Sequence, residues 1–286
     1  MEKHYFVPKK QLEGFMKNGS MNHQYGIMAF LQLDMDKAQA LLPPPLKVTE
    51  STVSGSALGY LYIVNIREPS FGPWYMEGGI GIMAELNGHC GLHFLGLQLS
   101  GPGALMGMCS GREISGLPKK ICDRIHVERL ADEGHCYIER DGVRLLDVQV
   151  TMGQYNNPAV AGMFSQNGCS KDKPLTTGGG CLLFKQHIGE GSFDSIDVIY
   201  YDSCTRYYQW DPATLKVALA SSANDPWGDL PVTGVLGGGW MVSDNYVPSI
   251  KTIYTYPQEQ VMNTMQYLFS GKFDRSTLYA EHQSYE

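Results

Sequence analysis

The sequence predicts a mainly β protein whose antiparallel strands close into a barrel or sandwich, with a few peripheral helices. Three observations predict it. Short apolar or alternating runs recur along the chain, turn residues separate them (33 Gly and 15 Pro), and few stretches carry helical spacing.

Taken in order, the first run is YGIMAFLQL, and its alternation reads as a strand. DMDKAQALLP follows as a helix that Asp34 caps and Pro43 stops. SALGYLYIVNI, GGIGIMAEL and CGLHFLGLQL are the next strands, and RLLDVQVTM, CLLFKQHI, SFDSIDVIYYDS and IKTIYTY continue the series. Near the end, PQEQVMNTMQYLFSG places Met262, Met265 and Phe269 at helical spacing. The polar, Gly-rich segment MFSQNGCSKDKPLTTGGGC reads as the longest loop. Neither a fixed-period repeat nor a linker composition divides the chain, so residues 1–286 are expected to form a single domain, with 271–286 as a C-terminal tail.

The chain is 43% apolar and 11% aromatic, ample for a large core. Its net charge of -7 argues against nucleic acid or an anionic membrane as partner, because both demand a concentrated basic face. No apolar run approaches the roughly 20 residues of a membrane span, and MEKHYFVPKKQLEGF holds no apolar leader core. A cytoplasmic location is the expectation. Seven scattered cysteines read as free thiols.

His89 and His93, four apart, would share one face of a helix as metal ligands, but their surroundings alternate as a strand, which holds such residues roughly 13 Å apart. No metal site is expected. TTGGGC and LGGGW lack the Gly-Lys-Ser/Thr of a phosphate loop, and Ser115 stands four residues before Lys119 rather than the three of an acylating Ser-x-x-Lys.

In GREISGLPKK, Lys119 and Lys120 read either as two solvated surface charges or as one reactive amine with a cationic neighbour. Lys119 and Lys120 follow Pro118 and a long apolar region, LHFLGLQLSGPGALMGM. An amine that attacks a carbonyl must be neutral, and an unperturbed lysine is neutral only about 0.04% of the time at pH 7. Desolvation and a cationic neighbour both favour the neutral form, and an adjacent lysine in an apolar pocket supplies both.

At these residues the chain resembles the acetoacetate decarboxylase family, whose Gly-Arg-Glu…Pro-Lys-Lys signature stands here as Gly111, Arg112, Glu113, Pro118, Lys119 and Lys120. LDMDKAQALLPPPL, YMEGG, VTMGQY, WGDLPV and NYVPSIKTIYTY extend the resemblance over nearly the whole chain. It implies an antiparallel β-barrel or cone architecture. It also implies Lys119 as Schiff-base amine, Lys120 as adjacent cation and Glu77 as acid/base carboxylate, with Gln24, Tyr62, Tyr75, Ser115 and Tyr246 around the substrate. Gln24 stands where the decarboxylase has an arginine, with His23 beside it, and Tyr62 or Tyr60 stands where it has a second carboxylate. Gln24 cannot hold a substrate carboxylate by a charged bidentate pair, and a tyrosine replaces an anion with a neutral hydroxyl, which points away from acetoacetate.

The expectation is therefore a Schiff-base lyase, decarboxylase or aldolase-dehydratase, acting on a keto acid or another carbonyl compound without metal or organic cofactor. The resemblance suggests a homo-oligomer, to which the apolar face of the 257–270 helix is a candidate contributor. A second reading is a non-catalytic barrel that binds an apolar small molecule in a cavity lined from its 14 Met and 17 Tyr.

Overall fold

The computed structural model describes residues 5, 7–12, 19–275 and 278. All eight runs read as strands fall on strands, apart from the leading Ser56 and Ser192 of two of them. In chain order these are β1 (Ser20–Leu33), β2 (Lys47–Val48), β3 (Ala57–Pro69), β4 (Tyr75–Leu86), β5 (His89–Ser100), β6 (Lys119–Ile121), β7 (Arg124–Leu130), β8 (Glu133–Arg140), β9 (Val143–Met152), β10 (Leu175–Ile188), β11 (Phe193–Leu219) and β12 (Val232–Tyr256). Among the helices that accompany them are α1 (Met35–Gln39), α2 (Ala104–Ser115) and α3 (Gln258–Lys272).

Pairing runs β10-β5-β4-β3-β1-β12-β11, and β10 also pairs with β11, so these seven strands close a ring. The predicted mainly β class with few helices is what the chain adopts. β11, 27 residues long, pairs with β10 through its first part and with β9 through Ala213–Leu219, which hangs the β9-β8-β7 meander off the ring. Alternation explains the two cores. On β1, Ile27, Ala29, Leu31 and Leu33 enter one cluster while Met28 enters the other, with Phe30 packed against it, because successive side chains point to opposite faces.

Asp34 caps α1 by accepting from the Lys37 amide at 3.0 Å, as its position predicts. The C-terminal helix forms, but its buried face is Val261, Thr264, Met265 and Leu268, whereas Met262 is 76% exposed. That apolar face packs within the chain, so it is not the face that could serve an oligomer. Of the segment read as a tail, Gly271 and Lys272 are buried at the end of α3, and Asp274 makes ion pairs with Lys120 and Arg140. Residues 276, 277 and 279–286 of that segment lie outside the described residues.

Two features depart from the expectations. The loop read over MFSQNGCSKDKPLTTGGGC gives way at Leu175 to β10, where cross-strand pairing with β11 supplies what the glycines lack in propensity. ALMGMCSGREIS, read as part of an apolar stretch, is the helix α2. No helix among the described residues is long and apolar enough to cross a membrane. All seven cysteines are free.

Candidate active site

GREISGLPKK is the end of a helix and the start of a strand. Gly116 terminates α2 in the left-handed conformation (φ 77°), where a Cβ would also stand 2.3 Å from the Phe184 carbonyl oxygen. Leu117 and Pro118 then lead into β6, which pairs in parallel with β5 and sets Lys119 beside Leu97 and Lys120 beside Gln98. Gly111 has a separate purpose: a Cβ there would lie 2.9 Å from both Cδ and Cε of Lys119. Its missing side chain is the space that the lysine stem occupies.

Lys119 Nζ is 2.5 Å from Glu77 Oε2, and both side chains are 4% exposed. Tyr62 donates its hydroxyl to Glu77 Oε1 at 2.5 Å. Burial first, and the Glu77 carboxylate second, hold the Tyr62 phenol well above its ordinary pKa, so it stays protonated as a donor. Tyr75 is fully buried, its phenol raised by burial and then by Glu77, and its hydroxyl has no hydrogen-bond partner among the described residues.

These groups face a cavity of about 620 Å³, within the range of roughly 300–1,000 Å³ typical of small-molecule sites. Alternating residues of the ring build its walls: Met28 and Phe30 on β1, Tyr60 and Tyr62 on β3, Leu92 and Phe94 on β5. Tyr62, Tyr60, Phe30 and Phe164 follow one another with ring centroids 6.0, 5.8 and 5.5 Å apart. Lys119 is the only cationic side chain among the described residues that line the cavity, and Glu77 the only anionic one.

Of the residues singled out in the sequence, Lys119, Glu77, Gln24, Tyr62, Tyr75 and Ser115 meet in this cavity. Gln24 is buried and accepts from the Ser243 hydroxyl at 3.3 Å, and the Ser115 hydroxyl donates to the Gly111 carbonyl at 3.0 Å. Tyr246 is not brought there. It is 39% exposed, and strand alternation gives the cavity its neighbours Asn245 and Val247 instead. Glu113 is exposed, and the Arg112 guanidinium lies over the Phe273 ring, so neither signature residue lines the cavity.

Lys120 does not line it either. On β6 it points to the other face, where its Nζ lies 3.1 Å from Asp225 Oδ1 and 3.1 Å from Asp274 Oδ1 and donates to the Asn224 carbonyl at 3.0 Å. Arg140 bonds the second oxygens of the same two aspartates, and Gln98 Nε2 donates to Asp225 at 2.9 Å. Arg140 Nη1 also lies 3.6 Å from Asp141 Oδ2, so the two cations sit among three carboxylates. The expected cationic neighbour of Lys119 is thus matched to carboxylates of its own, behind the strand.

Sequence reasoning missed Tyr201, Ser203, Thr205 and Tyr207, the cavity-facing residues of β11. Their signal was alternation through YDSCTRYY, which overlaps the end of the run read as a strand and continues it to Tyr208. His89 and His93 lie on β5, against Tyr200 and Phe184 respectively, and burial lowers the His93 pKa to about 4. Among the described residues no group of three or more His, Cys, Asp or Glu is arranged to hold a metal ion.

The sequence model described as acetoacetate decarboxylase (ADC) matches residues 6–257. A CLA biosynthesis isomerase of Lactiplantibacillus plantarum is 28% identical over 279 residues, 95% of each chain. An acetoacetate decarboxylase of Burkholderia multivorans is 36% identical over 233 residues, covering 78% of this chain and 83% of its own. The fold is similar to that of the acetoacetate decarboxylase of Legionella pneumophila, with a TM-score of 0.67 and 16% identity over 90% of this chain and 99% of that one.

Proposed function

The chain belongs to the acetoacetate decarboxylase (ADC) family, and from that premise we propose that it is an enzyme that binds a carbonyl compound with an extended apolar portion as an iminium on Lys119 and moves a proton at the adjacent carbon. The observation that carries this reading is the chain Lys119–Glu77–Tyr62 set in the wall of a large, mostly apolar cavity with no second cation.

Each step has a group in position. Glu77, 2.5 Å away, takes a proton from Lys119. The free amine adds to the carbonyl carbon, and protonated Glu77 gives its proton to the carbinolamine hydroxyl, which leaves as water to form the iminium and restore the carboxylate. That cation acidifies the neighbouring C–H, and a carboxylate in the Glu77 position accepts the proton to give an enamine. Return of the proton to a more distant carbon of a conjugated enamine shifts a double bond, and return to the same carbon is silent exchange. Tyr62, a neutral donor on Glu77, steadies the carboxylate between these transfers.

Decarboxylation and aldol condensation with dehydration pass through the same iminium and enamine. Proton transfer is favoured here because a substrate carboxylate beside Lys119 finds no guanidinium or second ammonium among the described lining residues, and Gln24 offers only an amide. The isomerase of Lactiplantibacillus plantarum, similar over 95% of this chain, supports the same choice. Sodium borohydride with a medium-chain ketone tests the reading: the reduced adduct is expected on Lys119 alone, and in heavy water the ketone is expected to gain deuterium beside the carbonyl. Adducts spread over surface lysines, with no exchange above background, would leave the non-catalytic binding reading in its place.

A further inference from the structure

The cavity has a second polar zone that the chemistry at Lys119 does not use. On β11, Tyr201, Ser203, Thr205 and Tyr207 all line it, spaced about 7 Å apart along the strand. Thr205 is aligned with Asn245 on β12 and with Thr177 on β10, and Ser203 with Gly179. Asn245 Nδ2 donates to Ser203 Oγ at 2.7 Å and to Thr205 Oγ1 at 2.9 Å.

Donor accounting leaves something over. A hydroxyl that accepts one hydrogen bond still has its own proton to give. Ser203 accepts from Asn245, and no acceptor for its proton is placed among the described residues. Beside it, β10 pairs with β11 on one edge, but its single bridge to β5 is at Cys181, so the other edge of Leu175–Gly180 has no strand partner among the described residues. Burial separates the two zones. Lys119 and Glu77 are closed off from solvent, while Thr177, Ser203, Thr205 and Asn245 are half-buried and Gly178 and Gly179 exposed.

We infer that this zone is a head-group subsite: the substrate is amphipathic, with its reacting carbonyl at Lys119 and, at the far end of its carbon chain, an oxygen acceptor held by the Ser203 hydroxyl and the open β10 edge. It rests on the reading of Lys119 as the carbonyl-binding amine. A carboxylate and a hydroxyl share this acceptor chemistry. Both keep part of their hydration at a half-open position, whereas at the closed end neither would. An apolar chain between the two ends lies along Phe30, Tyr60 and Phe94, and the two anchors set which carbon of it reaches the amine.

Methyl ketones of increasing length, each ending in methyl, hydroxyl or carboxylate, test this by calorimetric binding to the wild-type protein and to Lys119→Ala. At one chain length the hydroxyl or carboxylate compound is expected to bind about tenfold more tightly than its methyl counterpart, the worth of one or two hydrogen bonds. Ser203→Ala and, separately, Thr205→Val are expected to remove most of that gain. Preference for carboxylate identifies an anionic head and preference for hydroxyl a neutral one. Equal binding of all three ends at every length overturns the inference, as does a preference that both variants retain. The two readings fail separately: a terminal-group preference in Lys119→Ala without borohydride adducts in wild type sinks the amine, and adducts on Lys119 without preference sink the subsite.

Discussion

Lys119 and Lys120 are consecutive residues whose ammonium groups lie on opposite faces of β6, the first 2.5 Å from Glu77 and the second 3.1 Å from both Asp225 and Asp274. A strand turns successive side chains to opposite sides, so adjacency in sequence here means separation in space. Lys120 ties strand β6 to its surroundings rather than lining the cavity. Through Asp225 it ties β6 to the 222–230 segment, and through Asp274 to the residues that follow α3.

Lys120→Ala is therefore expected to damage stability first. Removing one partner from a buried ion cluster leaves uncompensated carboxylates and typically costs about 3–5 kcal/mol. Urea denaturation should show that loss, while borohydride adducts on the folded variant still map to position 119. A variant as stable as wild type would mean that Asp225 and Asp274 are satisfied by Arg140 alone.

Glu77→Gln keeps the shape of the carboxylate and removes its basicity. Adduct formation at Lys119 is expected to persist at reduced rate, and deuterium exchange of a bound ketone to fall by about 100-fold or more, the usual effect of losing a positioned acid/base group. Exchange that continues undiminished would assign the proton transfer to a group other than Glu77.

Much of the ring was legible because its strands carry a period of two that burial on both faces does not erase. Tyr62 beside Glu77 was legible only through the family resemblance. What escaped was set by tertiary contacts. α2 contains Gly107 and Gly111, which lower helix propensity, and they are there because Gly107 packs against Tyr75 and Leu99 while Gly111 makes room for Lys119. Nothing local in GPGALMGMCSG announces a helix. The partition of the lysine pair, by contrast, was available in principle: reading PKKI as a strand separates the two ammonium groups at once.

Gln24→Arg would restore a cation to the cavity at the position where the decarboxylase has an arginine. Gln24 lines the cavity within reach of Ser243, and a guanidinium there could hold a carboxylate bidentately. Carbon dioxide release from acetoacetate is expected to rise at least several-fold over wild type, measured at equal amounts of folded protein. No increase in a well-folded Gln24→Arg would show that the missing charge is not what disfavours acetoacetate.

The stability of the protein is expected to depend on pH through Lys272, which does not line the cavity. Its side chain is buried at the end of α3, where Nζ donates to the Phe184 carbonyl at 2.6 Å and to Gln186 Oε1 at 2.5 Å. Burial, and secondarily the Arg112 charge, lower its pKa from 10.5 to about 7. The unfolded chain keeps this proton up to about its ordinary value, so between those limits the unfolded state binds more protons than the folded one. Stability therefore rises with pH across that window, by at most about 1.4 kcal/mol per pH unit, and below pH 7 the full penalty of a buried ammonium is present. Urea unfolding free energies measured at pH 7, 8 and 9 should climb more steeply for wild type than for Lys272→Met, which cannot take up the proton. Parallel slopes in the two proteins would show that the Lys272 ammonium is held in the fold without penalty, by the two oxygens it already contacts.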